Sequence, residues 1–375
     1  MSRSFLSRLN PFCTDHNDPT GGGSDSENSA RTPPDRCSCS KRYVSSAKQH
    51  SLGPLTVYRH RAMACDFEIS INDVDSPAEN ALDVFDIIDR EEDSLSVFRA
   101  TSVVSRINSL ASEMNVSVPS KIFDRLLICR SLWEETEGAF DITSSPLWKL
   151  WGFAKGEGRV PSNSEIDKAL EKIGMQHVIL NEDDQTVAFD LPGVEINFGA
   201  IGKGFALDDA ATFLTKTPLE NYLIHGGMSS ILCRGGRAGD KILYANGSLR
   251  PCWSIGIADP IEPERRLATL CLTDDAVGTA GSGRQYFYHR GKRLSHIINP
   301  KTGCPAVGIL SVTVVTNDPA RADALSTAFF VMGVEKTDMF VRKHPDCHVL
   351  FVIETRYGDR EIVTLNMDDS LYRPE

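Results

Sequence analysis

Four stretches of the chain carry residue types that do chemistry. In Ala322-Asp-Ala-Leu-Ser-Thr327, Asp323 and Thr327 stand four apart. On a helix that spacing puts both side chains on one face. A carboxylate beside a hydroxyl suits Mg²⁺, a hard cation that prefers oxygen ligands. The competing reading is a polar helix edge with Thr327 bonded back to its own helix. In Asn197-Phe-Gly-Ala-Ile-Gly-Lys-Gly204, a glycine-rich turn precedes a helix start. Free N–H groups at such a start bind anions, and Lys203 can neutralise a diphosphate. The spacing matches neither Walker A nor the dinucleotide fingerprint, so a plain structural turn is an equal reading. Ser295-His-Ile-Ile-Asn-Pro-Lys-Thr-Gly303 puts His296 beside a turn, as a general base, a phosphate contact or a structural residue. Residues 138–143 and 146–153 surround Asp141 with aromatics that either hold a flat heterocycle or fill core.

These groups need elements to position them. Asp318 as cap and Pro319 at the first position predict the helix that carries Asp323 and Thr327. Another helix runs from the glycine turn to about Thr215. Ser76, Pro77 and Glu79 form a capping-box start, with Leu82, Phe85, Ile88 and Asp89 at helical spacing towards Leu95. A helix over 120–137 has Ile122, Leu126, Cys129 and Trp133 on one face and Gly138 as terminator. A short one over 162–173 has a Ser162/Glu165 capping box. Alternating apolar residues predict strands at 56–58, 67–71, 194–198, 222–225, 230–233, 254–257, 267–273, 311–315 and 349–353, and a hairpin pairing 177–180 with 186–189. The order is mixed rather than a steady βαβα alternation, which indicates α+β. No repeat of fixed period occurs.

Composition narrows the classes further. The 375 residues include 41% hydrophobic ones, enough for a sizeable core. Lys and Arg number 40 against 51 Asp and Glu, a formal net charge of −11, so no broad nucleic-acid surface is expected. Residues 1–53 hold eleven Ser, a Gly21-Gly22-Gly23 run and Pro33-Pro34, with little apolar periodicity. That composition predicts disorder there and a single domain over 54–365. The ten cysteines match neither a disulfide framework nor zinc spacing. Cys129, Cys233, Cys271 and Cys347 lie in apolar runs and read as core thiols. No apolar run is long enough to span a membrane. Met1 to Cys13 lacks the apolar core of a signal peptide, so a cytoplasmic location is expected.

Together, the order and wording of these blocks resemble the ApbE family, the FAD:protein FMN transferases, from about Tyr58 to Lys336. The matching segments are Ser96-Val-Phe-Arg, Ser105-Arg-Ile-Asn108, 138–143, Leu150-Trp-Gly-Phe153, 197–204, Gly226-Gly227, Trp253-Ser-Ile-Gly-Ile, Asp259-Pro260, 295–305, Ser311-Val-Thr-Val, 322–327 and Phe330-Val-Met-Gly333. The resemblance implies mixed or antiparallel sheets with helices and a site in a cleft between two lobes. It implies Mg²⁺-dependent transfer of FMN from FAD to a Thr or Ser hydroxyl of a target flavoprotein, of the kind found in electron-transfer complexes, with release of AMP. By the same resemblance Asp323 and Thr327 ligate Mg²⁺ through side chains and Ala200 through its carbonyl, with Ser326 close by. Lys203 and Asn197 contact FAD, and Met63, Phe98, Ala139, Phe140 and Asp141 line its pocket. His296 and Ile297 sit near the diphosphate, His296 as a candidate base.

The chain departs from the family at Asn299 and Asn197, where Asp is usual, and at Met63-Ala64-Cys65, where Met-Gly-Thr is usual. Ser144-Ser145 replace a Val-Gly, and Thr279-Ala280-Gly281 stands near the usual Thr-Ser-Gly. These departures keep two alternatives open: an FAD pyrophosphatase giving FMN and AMP, and a non-catalytic flavin-binding protein.

Overall fold

The computed structural model describes residues 43–45, 55–72, 78–243, 249–283, 285–355, 359–368 and 370–375. A nine-stranded sheet organises them. Its strands follow one another in chain order: Tyr43–Ser45, Thr56–Ala62, Cys65–Ile71, Tyr222–Gly226, Ser230–Arg234, Ala276–Gly281, Ile309–Thr316, His348–Glu354 and Arg360–Leu365. Every neighbouring pair is antiparallel. The long excursions between the third and fourth strands, and between the seventh and eighth, supply all the described α-helices.

Seven helices are described: α1 (Ala78–Leu95), α2 (Val103–Leu110), α3 (Ser120–Glu135), α4 (Ser145–Leu150), α5 (Asn163–Leu170), α6 (Gly202–Leu214) and α7 (Pro319–Val341). Apolar faces explain their placement. Ala81, Val84, Phe85 and Ile88 of α1 pack with Ala206, Leu207, Ala210 and Leu214 of α6 and with the first strands of the sheet. Residues from α2, α3 and α7 close a larger core that includes Val312 and Val314. The other face of the sheet, through Leu223, Ile231, Val277 and Leu350, meets a four-stranded sheet built from Arg237–Leu243, Leu249–Ala258, Arg266–Leu272 and Tyr372–Pro374. A fourth cluster joins α4 and α5 to the hairpin Tyr286–His289 with Lys292–Ser295. Among the described residues no helix is long and apolar enough to cross a membrane.

Most sequence-based elements are present. The Ser162/Glu165 capping box is complete, with both reciprocal hydrogen bonds made, and Asp318 caps α7 by accepting the Arg321 N–H at 2.9 Å. The Ser76 box lies outside the described residues.

Three expectations are corrected. Residues 194–198 form no strand. Their backbone is held by side chains and loops instead: Asn108 Oδ1 accepts the Ile196 N–H at 2.8 Å, its amide donates to the Ile196 carbonyl at 2.9 Å, and Asn197 N–H donates to the Ile142 carbonyl. The domain does not stop at residue 365, because Tyr372–Pro374 adds an edge strand beside Arg266–Leu272. The apolar run there, Leu371-Tyr372, is too short to signal a strand. Finally, Tyr43–Ser45 pairs with the strand Thr56–Ala62 inside the stretch expected to be disordered; the rest of 1–53 lies outside the described residues.

Candidate active site

One carboxylate joins three elements. Asp323 is buried on α7. Its Oδ2 accepts the Gly204 N–H from the start of α6 at 2.9 Å. Its Oδ1 accepts the hydroxyl of Ser230, at the head of a central strand, at 2.6 Å. Burial raises this carboxyl above its ordinary pKa, and the charge of Lys203 opposes that rise. Two glycines permit the convergence. A Cβ on Gly204 would stand 2.5 Å from Ala320 Cα, and one on Gly278 would stand 2.2 Å from the Ala322 carbonyl oxygen. Only bare backbone lets α6 and the strand Ala276–Gly281 press so closely on the first turns of α7.

Among the described residues Thr327 is not bonded back to its own helix. Ser326 is the residue that bonds back, its hydroxyl donating to the Asp323 carbonyl at 2.8 Å. Thr327 is half-buried, and among the described residues its hydroxyl has no hydrogen-bond partner. Among those residues no group of three His, Cys, Asp or Glu side chains is arranged for a metal. A cation here would therefore rest on one carboxylate with hydroxyl and carbonyl oxygens. That set fits Mg²⁺, which keeps several waters. It also fits the carboxylate, whose direct partners are only two neutral donors.

The glycine turn works differently from a phosphate cradle. Gly199 N–H goes to Asn197 Oδ1 at 2.9 Å, Ile201 and Gly202 N–H go to the Phe198 carbonyl, and Gly204 N–H goes to Asp323. With these donors spent internally, the turn offers an anion the Lys203 side chain rather than an open ring of amides. Lys203 leans along Gly226, where a Cβ would lie 3.4 Å from its Cδ.

Gly226 opens a turn in which Gly227 and Met228 both take positive φ, 60° and 63°. Beside it, Met63 and Ala64 (φ 49° and 59°) form the two-residue turn between Thr56–Ala62 and Cys65–Ile71. The two turns touch: Gly227 N–H donates to the Asp66 carbonyl at 3.0 Å, and a Cβ on Gly227 would stand 3.0 Å from Cys65 Cβ. Leu95, at the end of α1, lies 3.7 Å from where a Gly202 Cβ would be. Phe98 follows three residues later, 71% exposed. Met63, Met228 and Lys203 thus stand at the same end of the sheet as Asp323.

A second wall comes from 138–143, 196–199 and 296–303. Asn197 N–H ties to Ile142, and a Cβ on Gly138 would lie 3.8 Å from the Lys301 Cε. Trp151 Nε1 donates to the Gly303 carbonyl at 2.7 Å. His296 is half-buried; its Nδ1 meets the Gln285 carbonyl at 3.2 Å, and burial lowers its pKa. A neutral ring donating from Nδ1 leaves Nε2 as a proton acceptor. No hydrogen bond or ion pair joins His296 to Asp323. Ile297 is buried in the large core.

Asn299 makes a turn. Its Oδ1 accepts the Lys301 N–H at 2.9 Å, and its carbonyl accepts from Thr302 and Gly303. Phe140 is 1% exposed and, with Ala139, belongs to the core. Asp141 is closed by Trp133 Nε1 (3.1 Å) and by the Thr143 N–H (2.7 Å) and hydroxyl (2.6 Å), with burial raising its pKa to about 6. Any role of 139–141 toward a flavin rests on backbone and shape rather than on these side chains. Sequence reasoning missed Ser230 altogether: it meets Asp323 across 93 residues, and no local spacing signals that. A cavity of about 540 Å³ lined by Arg265, Arg266, Asp359 and Arg360 lies apart from these walls, on the four-stranded sheet side. Its Arg360 is already paired with Asp259 and Glu262.

The sequence profile of the ApbE family matches residues 63–351. The FAD:protein FMN transferase of Escherichia coli K12 is 31% identical over 305 residues, 79% of this chain and 84% of that protein. The crystal structure of the ApbE protein of Thermotoga maritima superposes with a TM-score of 0.72 at 31% identity, covering 82% of this chain and 96% of the other. The apo form of the flavinyl transferase ApbE of Pseudomonas stutzeri gives a TM-score of 0.72 at 26% identity, covering 84% and 96%.

Proposed function

The chain belongs to the ApbE family, and we propose that it transfers FMN from FAD to a Thr or Ser hydroxyl of a target flavoprotein, releasing AMP. The acceptor class proposed is a flavoprotein of an electron-transfer complex. The observation that carries the reading is the convergence of Asp323, the Gly204 amide, Ser230 and Lys203 at one end of the sheet, beside an unpartnered Thr327 hydroxyl.

In the reaction the acceptor oxygen attacks the FMN phosphorus, the bond to the AMP phosphate breaks, and the acceptor proton leaves. Such a transfer asks the protein for alignment and charge neutralisation and for little covalent work. Lys203 places a positive charge at the mouth of the site. His296, held neutral by burial with Nδ1 turned to Gln285, keeps Nε2 able to take a proton. The Asp323 carboxylate, the Thr327 hydroxyl and the Ala200 carbonyl would hold Mg²⁺, which supplies charge neutralisation on a diphosphate. The apolar turn residues Met63 and Met228 would lie beside the bound flavin nucleotide.

The test is incubation with FAD, Mg²⁺ and candidate acceptors, read by intact-protein and peptide mass spectrometry and by AMP release. The expected result is a gain of one FMN less water on a single Thr or Ser, matched by AMP. Asp323→Ala is expected to lower the rate by at least about a hundredfold, through loss of a direct ligand, with the fold retained by circular dichroism. AMP and free FMN without acceptor labelling would identify a pyrophosphatase instead. Intact bound FAD under Mg²⁺ would identify a carrier.

A further inference from the structure

The geometry points to Ser230 as a positioning residue that fixes the orientation of the Asp323 carboxylate for cation binding. This inference rests on the reading of Asp323 as a metal ligand. A carboxylate on a helix can rotate about its terminal bond, and each orientation presents different lone pairs. Here both oxygens are tethered from opposite elements: Oδ2 by the Gly204 N–H at 2.9 Å and Oδ1 by the Ser230 hydroxyl at 2.6 Å. The amide cannot turn, because Gly204 is locked in α6 against Pro319 and Ala320. The Ser230 hydroxyl is held equally firmly. Ser230 is buried, pairs with Gly226 on one side and with Gly278 on the other, and Gly278 is itself wedged against Ala322 and Asp323. Each oxygen keeps a second acceptor direction, so the tethers set where those directions point. Ser230 also follows the Gly227-Met228-Ser229 turn, so a shift of that turn can reach the carboxylate through one side chain.

Removing an outer partner of a metal ligand commonly weakens metal affinity roughly ten- to hundredfold. The experiment compares the full-length protein with Ser230→Ala, Ser230→Thr and Ser230→Cys. Mn²⁺ binding in the presence of FAD is measured by electron paramagnetic resonance, alongside steady-state transfer and thermal unfolding without metal. Ser230→Ala is expected to raise the Mn²⁺ dissociation constant roughly tenfold or more and to lower kcat at subsaturating metal. The acceptor KM is expected to stay unchanged. Ser230→Thr, which keeps the hydroxyl, is expected to restore most of the affinity. Ser230→Cys, close in size with a weaker donor, is expected to fall between and serves in place of the Ala variant if that one does not fold. In an Asp323→Ala background the Ser230 substitution is expected to have no further effect on metal binding. Wild-type Mn²⁺ affinity in both Ser230→Ala and Ser230→Cys overturns the positioning role and leaves the metal site standing. Absence of Mn²⁺ binding to the unsubstituted protein with FAD overturns the metal site and the positioning role together.

Discussion

Asn299 shows how a single departure from a family pattern is judged by its hydrogen bonds. The family usually has Asp there, and an amide can neither take a proton nor carry charge at neutral pH. In this chain the side-chain oxygen of Asn299 accepts one backbone N–H, from Lys301, and closes the turn that Trp151 pins through Gly303. An Asp oxygen would accept the same bond. Asn299→Asp is therefore expected to leave kcat within about a factor of three, under about 0.7 kcal/mol of activation free energy. Steady-state transfer kinetics check this; a gain of a hundredfold would mean that the missing charge belongs to the chemistry. Ala64 is a departure of the other kind. It stands where glycine is usual, at φ 59°, a conformation that costs an L-residue roughly 1–2 kcal/mol. The chain tolerates that strain beside the entrance to the site.

Among the elements, the site depends on how closely α7 can approach its neighbours. Its N-terminal turns lie against α6 at Gly204 and against the strand Ala276–Gly281 at Gly278, both closer than any side chain permits. Gly278→Ala would put a methyl 2.2 Å from the Ala322 carbonyl, on backbone at both sides, so the helix must move. Overpacking of this kind costs roughly 1–3 kcal/mol. The helix that moves carries Asp323, so transfer activity is expected to fall more steeply than the melting temperature. Thermal melts and FMN-transfer rates on the same preparation separate the two effects. A variant with normal activity and normal stability would show that the strand and helix can part freely.

Charge is the property that belongs to the molecule as a whole. The chain is acidic, with a formal net charge of −11, and it gathers several carboxylates at the joint between α6 and α7. Asp208 there is raised to about 8, chiefly by burial and then by Asp318 and Asp209, although it accepts the Ala320 N–H. The folded state thus keeps a proton on Asp208 that the unfolded chain releases near pH 4. The stability this contributes is complete below that pH and is lost as pH rises towards about 8. Asp208→Asn keeps an acceptor and removes the titration. It is expected to flatten the fall in stability between pH 5 and 8.5, by on the order of 4 kcal/mol at the upper end. Chemical denaturation at the two pH values checks it; an unchanged slope would place the titrating group elsewhere. Glu91 and Arg125 are buried as an ion pair that α1, α3 and α6 share with Lys121 and Asp209.

What the sequence by itself determined is what a few neighbouring residues can encode. The Ser162/Glu165 box, the Asp318-Pro319 helix start, the 177–189 hairpin and the common face of Asp323 and Thr327 all depend on contacts within about four residues, or on one turn. So does the family pattern, written in short blocks. The tertiary structure alone decided which donors reach Asp323, because Ser230 and Gly204 meet it across 93 and 119 residues. It alone decided that the Gly199, Ile201, Gly202 and Gly204 amides of the glycine turn are spent internally, and that 194–198, strand-like in its alternation, is held by Asn108 instead of a ladder. Pairings of that range follow from strand register and helix approach, which are fixed only when the whole core closes.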